Sequence, residues 1–87
     1  RFANTALKAR HDVKVFLMGE AVECERLTHE TYNVSEQLNA FVEAGGVVLA
    51  CGTCLKFRRM EGNATCPIST MTDCLRMVEW AEKVITF

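Results

Sequence analysis

The sequence predicts a three-layer α/β fold, with a mainly parallel sheet and helices on both faces, formed by residues 1–87 as a single domain. Three observations carry that expectation. Segments with apolar residues at helical spacing alternate with short runs rich in β-branched and aromatic residues, the pattern of βαβ crossovers. One such run, Val47-Val48-Leu49-Ala50, is apolar throughout, as a central strand covered on both faces must be. The third is length: 87 residues suffice for one small core. A chain of this size buries roughly 60 to 65% of its unfolded surface, so subunit contacts are an effective source of further core.

In chain order, residues 1–10 place Phe2, Ala3, Ala6 and Leu7 at helical spacing, and residues 13–18 form a strand-like run closed by Gly19. No capping residue and no strand precede the first helix, which predicts that an N-terminal piece is missing from this chain. Residues 20–27 gather Ala21, Val22, Cys24 and Leu27 into two helical turns, and residues 28–32 are a polar loop. Asn33 followed by Glu36 is a helix-start signal, because the Asn oxygen accepts from free first-turn N–H groups. Val34, Leu38, Phe41 and Val42 then form one apolar stripe, and Gly45-Gly46 supplies the left-handed residue that ends such helices.

The apolar run 47–50 leads directly into Cys51-Gly52-Thr53-Cys54, and residues 55–59 read as a short basic helix. Residues 61–65 are a loop and 66–68 a brief extended segment. Thr70 with Asp73 starts another helix, whose expected buried stripe is Met71, Cys74, Leu75, Val78 and Ala81. Residues 84–87 read as a last short strand.

Ten basic against eleven acidic residues leave a net charge of −1, so no positive field exists to hold a nucleic acid backbone. The longest uncharged stretch, residues 44–55, is too short to span a bilayer. The first eight residues lack the layout of a secretory signal. Five cysteines form an odd set with one tight spacing, which argues for free thiols and a cytoplasmic location. In that setting the tripeptide Asn63-Ala64-Thr65 is a chance match to a glycosylation acceptor.

In a parallel sheet, chemistry collects at the carboxyl ends of the strands, here residues 18–20, Cys51 and residues 66–69. Cys51 therefore stands out. A sulfur at a strand end that opens a helix is stabilised as thiolate by unpaired N–H groups and the helix dipole. Gly52 and Thr53 bring backbone amides close, while Lys56 and Arg59 add positive charge from one face. Cys54, three residues on, is within reach as a resolving thiol. Glu20, after the first strand, is a candidate proton donor or acceptor. Cys24 and Cys74 lie on apolar helical stripes and read as packing residues, as does Cys66.

A structural zinc site needs about four ligands, commonly in two close pairs, and only one close cysteine pair is present. His11 and His29 fall in polar segments. The glycines make no phosphate-cradling motif. Neither a metal nor another cofactor is expected.

Three stretches carry a family resemblance: residues 13–19 with Ala21-Val22, residues 44–47 leading into 50–56, and residues 81–87. Through them nearly the whole chain resembles the DsrE/DsrF-like family of sulfur-relay proteins, which includes TusD-type subunits. The resemblance implies flavodoxin-like winding and assembly into homo-oligomers, trimers or hexamers. It implies a relay cysteine at the position of Cys51, with donor and acceptor proteins as partners. It also implies a strand ahead of the first helix.

The leading expectation is thus a persulfide carrier, a sulfurtransferase-like relay in which Cys51 accepts, holds and passes on sulfane sulfur. A rival is a Cys-x-x-Cys redox protein of thioredoxin-like or peroxiredoxin-like activity. Pro67, only thirteen residues after Cys54, lies too near for the thioredoxin arrangement. A third reading is a non-catalytic oligomeric binding module, for which Cys51→Ser leaves function intact.

Overall fold

A computed structural model describes residues 1–87. Helix α1 (Phe2–Lys8) precedes strand β1 (Lys14–Leu17) and a 3₁₀ helix (Gly19–Arg26); then follow α2 (Val34–Glu43), β2 (Val47–Cys51), α3 (Gly52–Phe57), β3 (Ile68–Ser69) and α4 (Met71–Trp80). The sheet is parallel throughout, in the order β1-β2-β3. Strand β2 is central. Its Val47 to Ala50 pair with Lys14 to Leu17 on one side, and its Ala50 and Cys51 with Ile68 and Ser69 on the other.

Alternation along β2 sends Val48 and Ala50 to one face, where they are 2% and 1% exposed. Against them pack Val22 of the 3₁₀ helix, Phe41 of α2, Leu55 of α3 and Cys66, with Ala3 and Leu7 of α1 at the margin. Burying each large apolar side chain there contributes roughly 1.5–3 kcal/mol. Helix α2 begins as its sequence requires: Asn33 Oδ1 accepts the Glu36 N–H at 2.9 Å. It ends at Gly45, whose φ of +98° is open to glycine and strained for other residues.

The second face carries Lys14, Phe16, Val47, Leu49 and Cys51. Helix α4 meets the sheet at both of its ends. Ser69 Oγ donates to Asp73 Oδ2 at 2.7 Å, and the Trp80 ring centroid lies 4.2 Å from Lys14 Nζ. The Thr70 and Asp73 capping box starts α4 as expected.

Three expectations are corrected. Residues 19–26 wind as a 3₁₀ helix, and Leu27 lies outside it and is exposed. Only Val22 of that segment is buried, so packing supports one residue where a longer α-helix needs a stripe. Helix α4 has no buried residue: Met71, Leu75 and Val78 are half-exposed or more, because no element lies over them. Residues 84–87 form no strand, since their backbone joins no neighbouring edge; Phe87 instead meets Phe2 edge-on at 6.2 Å between centroids.

The chain exposes 6777 Å², whereas a folded monomer of this mass typically exposes about 5,200 Å². Exposed apolar side chains on α4 (Met71, Leu75, Val78 and Trp80) and in the last four residues contribute to the surplus, together with Phe2, Leu27 and Phe57. No helix is long and apolar enough to cross a membrane.

Candidate functional site

Strand β2 ends at Cys51, which is also the N-cap of α3. The sequence leaves the chain little choice here. The apolar run must stay between β1 and β3, and Gly52 permits the helix to begin immediately, since a Cβ at that position would stand 2.9 Å from the Ser69 carbonyl oxygen. Cys51 is paired in register with Ser69 and is 4% exposed.

The Cys51 thiol is held below its ordinary value, chiefly by the Cys54 N–H. Burial opposes this, while the Cys54 side chain and the Thr53 N–H assist. Both N–H groups belong to the first turn of α3, where they have no intrahelical acceptor. The sulfur faces them without closing a capping hydrogen bond.

A cleft of about 500 Å³ opens beside Cys51. Gly52, Thr53 and Lys56 of α3 form one wall; Ile68, Ser69, Thr70 and Met71 form the other. Lys56 is exposed, so its ammonium supplies positive charge at the mouth of the cleft. A hollow of about 550 Å³ along the polar face of α2 holds no cysteine, and its one hydroxyl, Ser35, donates to the Glu25 carbonyl at 3.0 Å.

Cys54 lies on the other side of Cys51. Its sulfur accepts the Gly19 N–H at 3.2 Å and packs against the core, and Cys54 does not line the cleft. The end of β1 thereby reaches the site through Gly19. All five cysteines are free thiols.

Cys51, Gly52, Thr53 and Lys56 line this one cleft, and Cys54 does not. Two candidates stand apart. Glu20 is exposed in the first turn of the 3₁₀ helix and does not line the cleft. Arg59 follows the end of α3 with a φ of +53° and also lies outside it. Arg58 turns away, bonding the Cys54 carbonyl and pairing with Glu23 at 3.3 Å.

Sequence reasoning passed over Ser69, Thr70 and Asp73 as site residues. The signal was present, because the Thr70 to Asp73 capping box follows directly on a strand end. In the structure Asp73 accepts from both hydroxyls, Ser69 at 2.7 Å and Thr70 at 3.1 Å. These contacts, the Ser69 hydroxyl foremost, hold its carboxyl below the usual range. The wall facing Cys51 is fixed by that carboxylate.

The remaining cysteines are differently placed. Burial pushes the Cys66 thiol up to about 12, with the Glu25 carboxylate adding to it. Burial likewise raises Cys24. Asn63 ties the loop before Cys66, its Oδ1 accepting the Thr65 and Cys66 N–H groups, each at 2.9 Å. His29 Nδ1 accepts from the Thr31 and Tyr32 N–H groups and so shapes its own loop. No three His, Cys, Asp or Glu side chains are grouped to hold a metal ion.

Comparison with known proteins agrees with this architecture. The chain is 33% identical over 93 aligned residues to an uncharacterized protein of Methanocaldococcus jannaschii, covering all of this chain and 82% of that one. It is equally similar, at 33%, to an uncharacterized protein of Methanopyrus kandleri, of which it covers 77%. No solved structure matches at the same level of significance. The model of the DsrE/DsrF-like family matches residues 1–87, and the chain belongs to that family.

Proposed function

We propose that this protein is a sulfur-relay carrier that holds persulfide sulfur on Cys51. The observation carrying the reading is the environment of that thiol: a strand-end sulfur, kept below its ordinary pKa by first-turn amides, with its one open side on a cleft. Sulfane sulfur transfer needs a thiolate nucleophile and room for one added sulfur atom. A Cys51 thiol held below its ordinary value, with a cleft beside it, supports both requirements. Gly52 opens the turn whose Cys54 and Thr53 N–H groups stabilise the anion, and Lys56 draws a negatively charged persulfide toward the mouth of the cleft.

Membership of the family supports the same role, and both relatives named above are uncharacterized. The free thiols suit a reducing, cytoplasmic setting. The surplus apolar surface over α4 supports homo-oligomeric assembly as the means of covering it. The balanced charge leaves nucleic acid without a binding surface.

The experiment is mass spectrometry of the intact chain and its thiol peptides after exposure to inorganic polysulfide. A gain of about one sulfur atom localised to Cys51, and abolished in Cys51→Ser, is the expected result. Sulfur distributed evenly over all five cysteines overturns the reading. Rapid peroxide turnover with no sulfur uptake favours the thiol redox alternative.

A further inference from the structure

We propose a second activity at this site: Cys54 discharges the Cys51 persulfide as hydrosulfide, closing a Cys51–Cys54 disulfide. This rests on the relay reading and extends it, because a carrier that finds no acceptor would then empty itself.

The argument is geometric. Cys51 lies between two environments, the cleft on one side and Cys54 on the other. The cleft that Cys51 lines offers space for an added sulfur atom, and Cys54 does not line it. Thiol attack on a disulfide-like bond proceeds in line, with nucleophile, central sulfur and leaving sulfur nearly collinear. A persulfide extending into the cleft therefore leaves its inner sulfur open to Cys54, whose side chain already contacts the Cys51 thiol. Positions three apart on a helix have Cα atoms about 5–6 Å from each other, inside the range a disulfide spans.

The hydrogen bonds suit the step. The Cys54 thiol assists the Cys51 thiolate from the side, and its own sulfur accepts the Gly19 N–H at 3.2 Å. The reaction balances without an added oxidant. The Cys54 Sγ–Cys51 Sγ bond forms while the bond from Cys51 Sγ to the outer sulfur breaks. The outer sulfur departs with the electron pair and takes the Cys54 proton to become HS⁻. Sulfane sulfur is reduced by two electrons and the two cysteine sulfurs are oxidised by two. An external thiol reductant then returns the disulfide to two thiols.

The test loads the full chain with inorganic polysulfide, removes the excess by desalting, and follows sulfide with a selective electrode alongside intact mass. The wild-type chain is expected to release one sulfide per persulfide and to finish two hydrogens lighter than the reduced protein, with the link mapped to Cys51 and Cys54. Cys54→Ser and Cys54→Ala are expected to slow release by on the order of a hundredfold, the loss of an intramolecular nucleophile. The Gly19 amide resonance should shift in the wild type as discharge proceeds. Persulfide that loads on Cys51 and stays there in the wild-type chain overturns the discharge while leaving the relay standing. Release with no Cys51–Cys54 link overturns it as well. Failure of Cys51 to take up sulfur at all overturns both.

Discussion

Substituting Gly52 by Ala tests whether the cleft is held by the close approach of α3 to β3. The added methyl carbon would stand 2.9 Å from the Ser69 carbonyl oxygen and 3.3 Å and 3.5 Å from Ile68 Cγ1 and Cδ1. The Ile68 contacts yield to a small rotation. The carbonyl does not, because it belongs to β3, which is held to β2 through the Ala50 N–H bond to the Pro67 carbonyl at 2.9 Å. Restoring an ordinary contact requires about half an ångström of backbone movement, and overpacking of this kind costs about 1–3 kcal/mol. Alanine regains up to about 1 kcal/mol as a better helix former. The net loss is therefore about 0–3 kcal/mol, against a total of roughly 5 kcal/mol for a domain this small. Urea unfolding followed by the fluorescence of Trp80, the only tryptophan, measures it. The same shift moves Ser69 from its place opposite Cys51, so alkylation of Cys51 should change in the folded variant. An Ala variant as stable as the parent, with unchanged Cys51 reactivity, would refute the reasoning.

Three further outcomes rest on burial and the thiol environments. At neutral pH a small alkylating reagent should modify Cys51 before Cys24 and Cys66, since Cys51 is held below the ordinary value and the other two are raised. The folded Cys66 thiol, at about 12, exceeds its unfolded value of about 8.5. Its contribution to stability is therefore complete below about 8.5 and is lost as pH rises toward 12; Cys66→Ala should flatten that alkaline slope in urea titrations. Phe41→Ala removes a 2%-exposed ring from the centre of the core, for a cost of about 3–5 kcal/mol. Set against a total of roughly 5 kcal/mol, that leaves about 0–2 kcal/mol, so the urea midpoint followed by circular dichroism should fall by more than half.

How far the sequence could be read depended on whether the cause of a structure was local. The Asn33 and Thr70 caps are satisfied within three residues, and both appear where their residues predict them. The run from Val47 to Cys51 was legible because a fully apolar strand has one place to go, the middle of the sheet. The stripe Met71, Cys74, Leu75, Val78 and Ala81 was equally regular and was misread. Its spacing reports that these side chains favour burial, and periodicity carries no information on whether an element lies opposite to bury them. Residues 84–87 failed for the same reason: β-branched residues favour extended backbone, but a strand exists only beside an edge that accepts it. The 3₁₀ winding of residues 19–26 was hidden because it depends on a single anchor, Val22, rather than on a repeat.

The candidate site shows how three strand ends can assemble what no single segment encodes. The β1 end supplies Gly19, whose N–H holds Cys54; the β2 end supplies Cys51; the β3 end supplies Ser69, locked by Asp73. Each contribution depends on parallel register. A slip of one residue between β2 and β3 would bring Ile68 or Thr70 opposite Cys51 and turn the Ser69 hydroxyl to the other face. The Asp73 carboxylate would then lose the shorter of its two hydroxyl donors, and the wall of the cleft would lose its anchor. The capping box of α4 therefore does more than start a helix. Because its carboxylate also binds the residue paired with Cys51, it fixes the register on which the thiol's surroundings depend. Thiol chemistry and the start of α4 are thus one structural unit, although four residues and a strand separate Ser69 from Asp73 and Cys51.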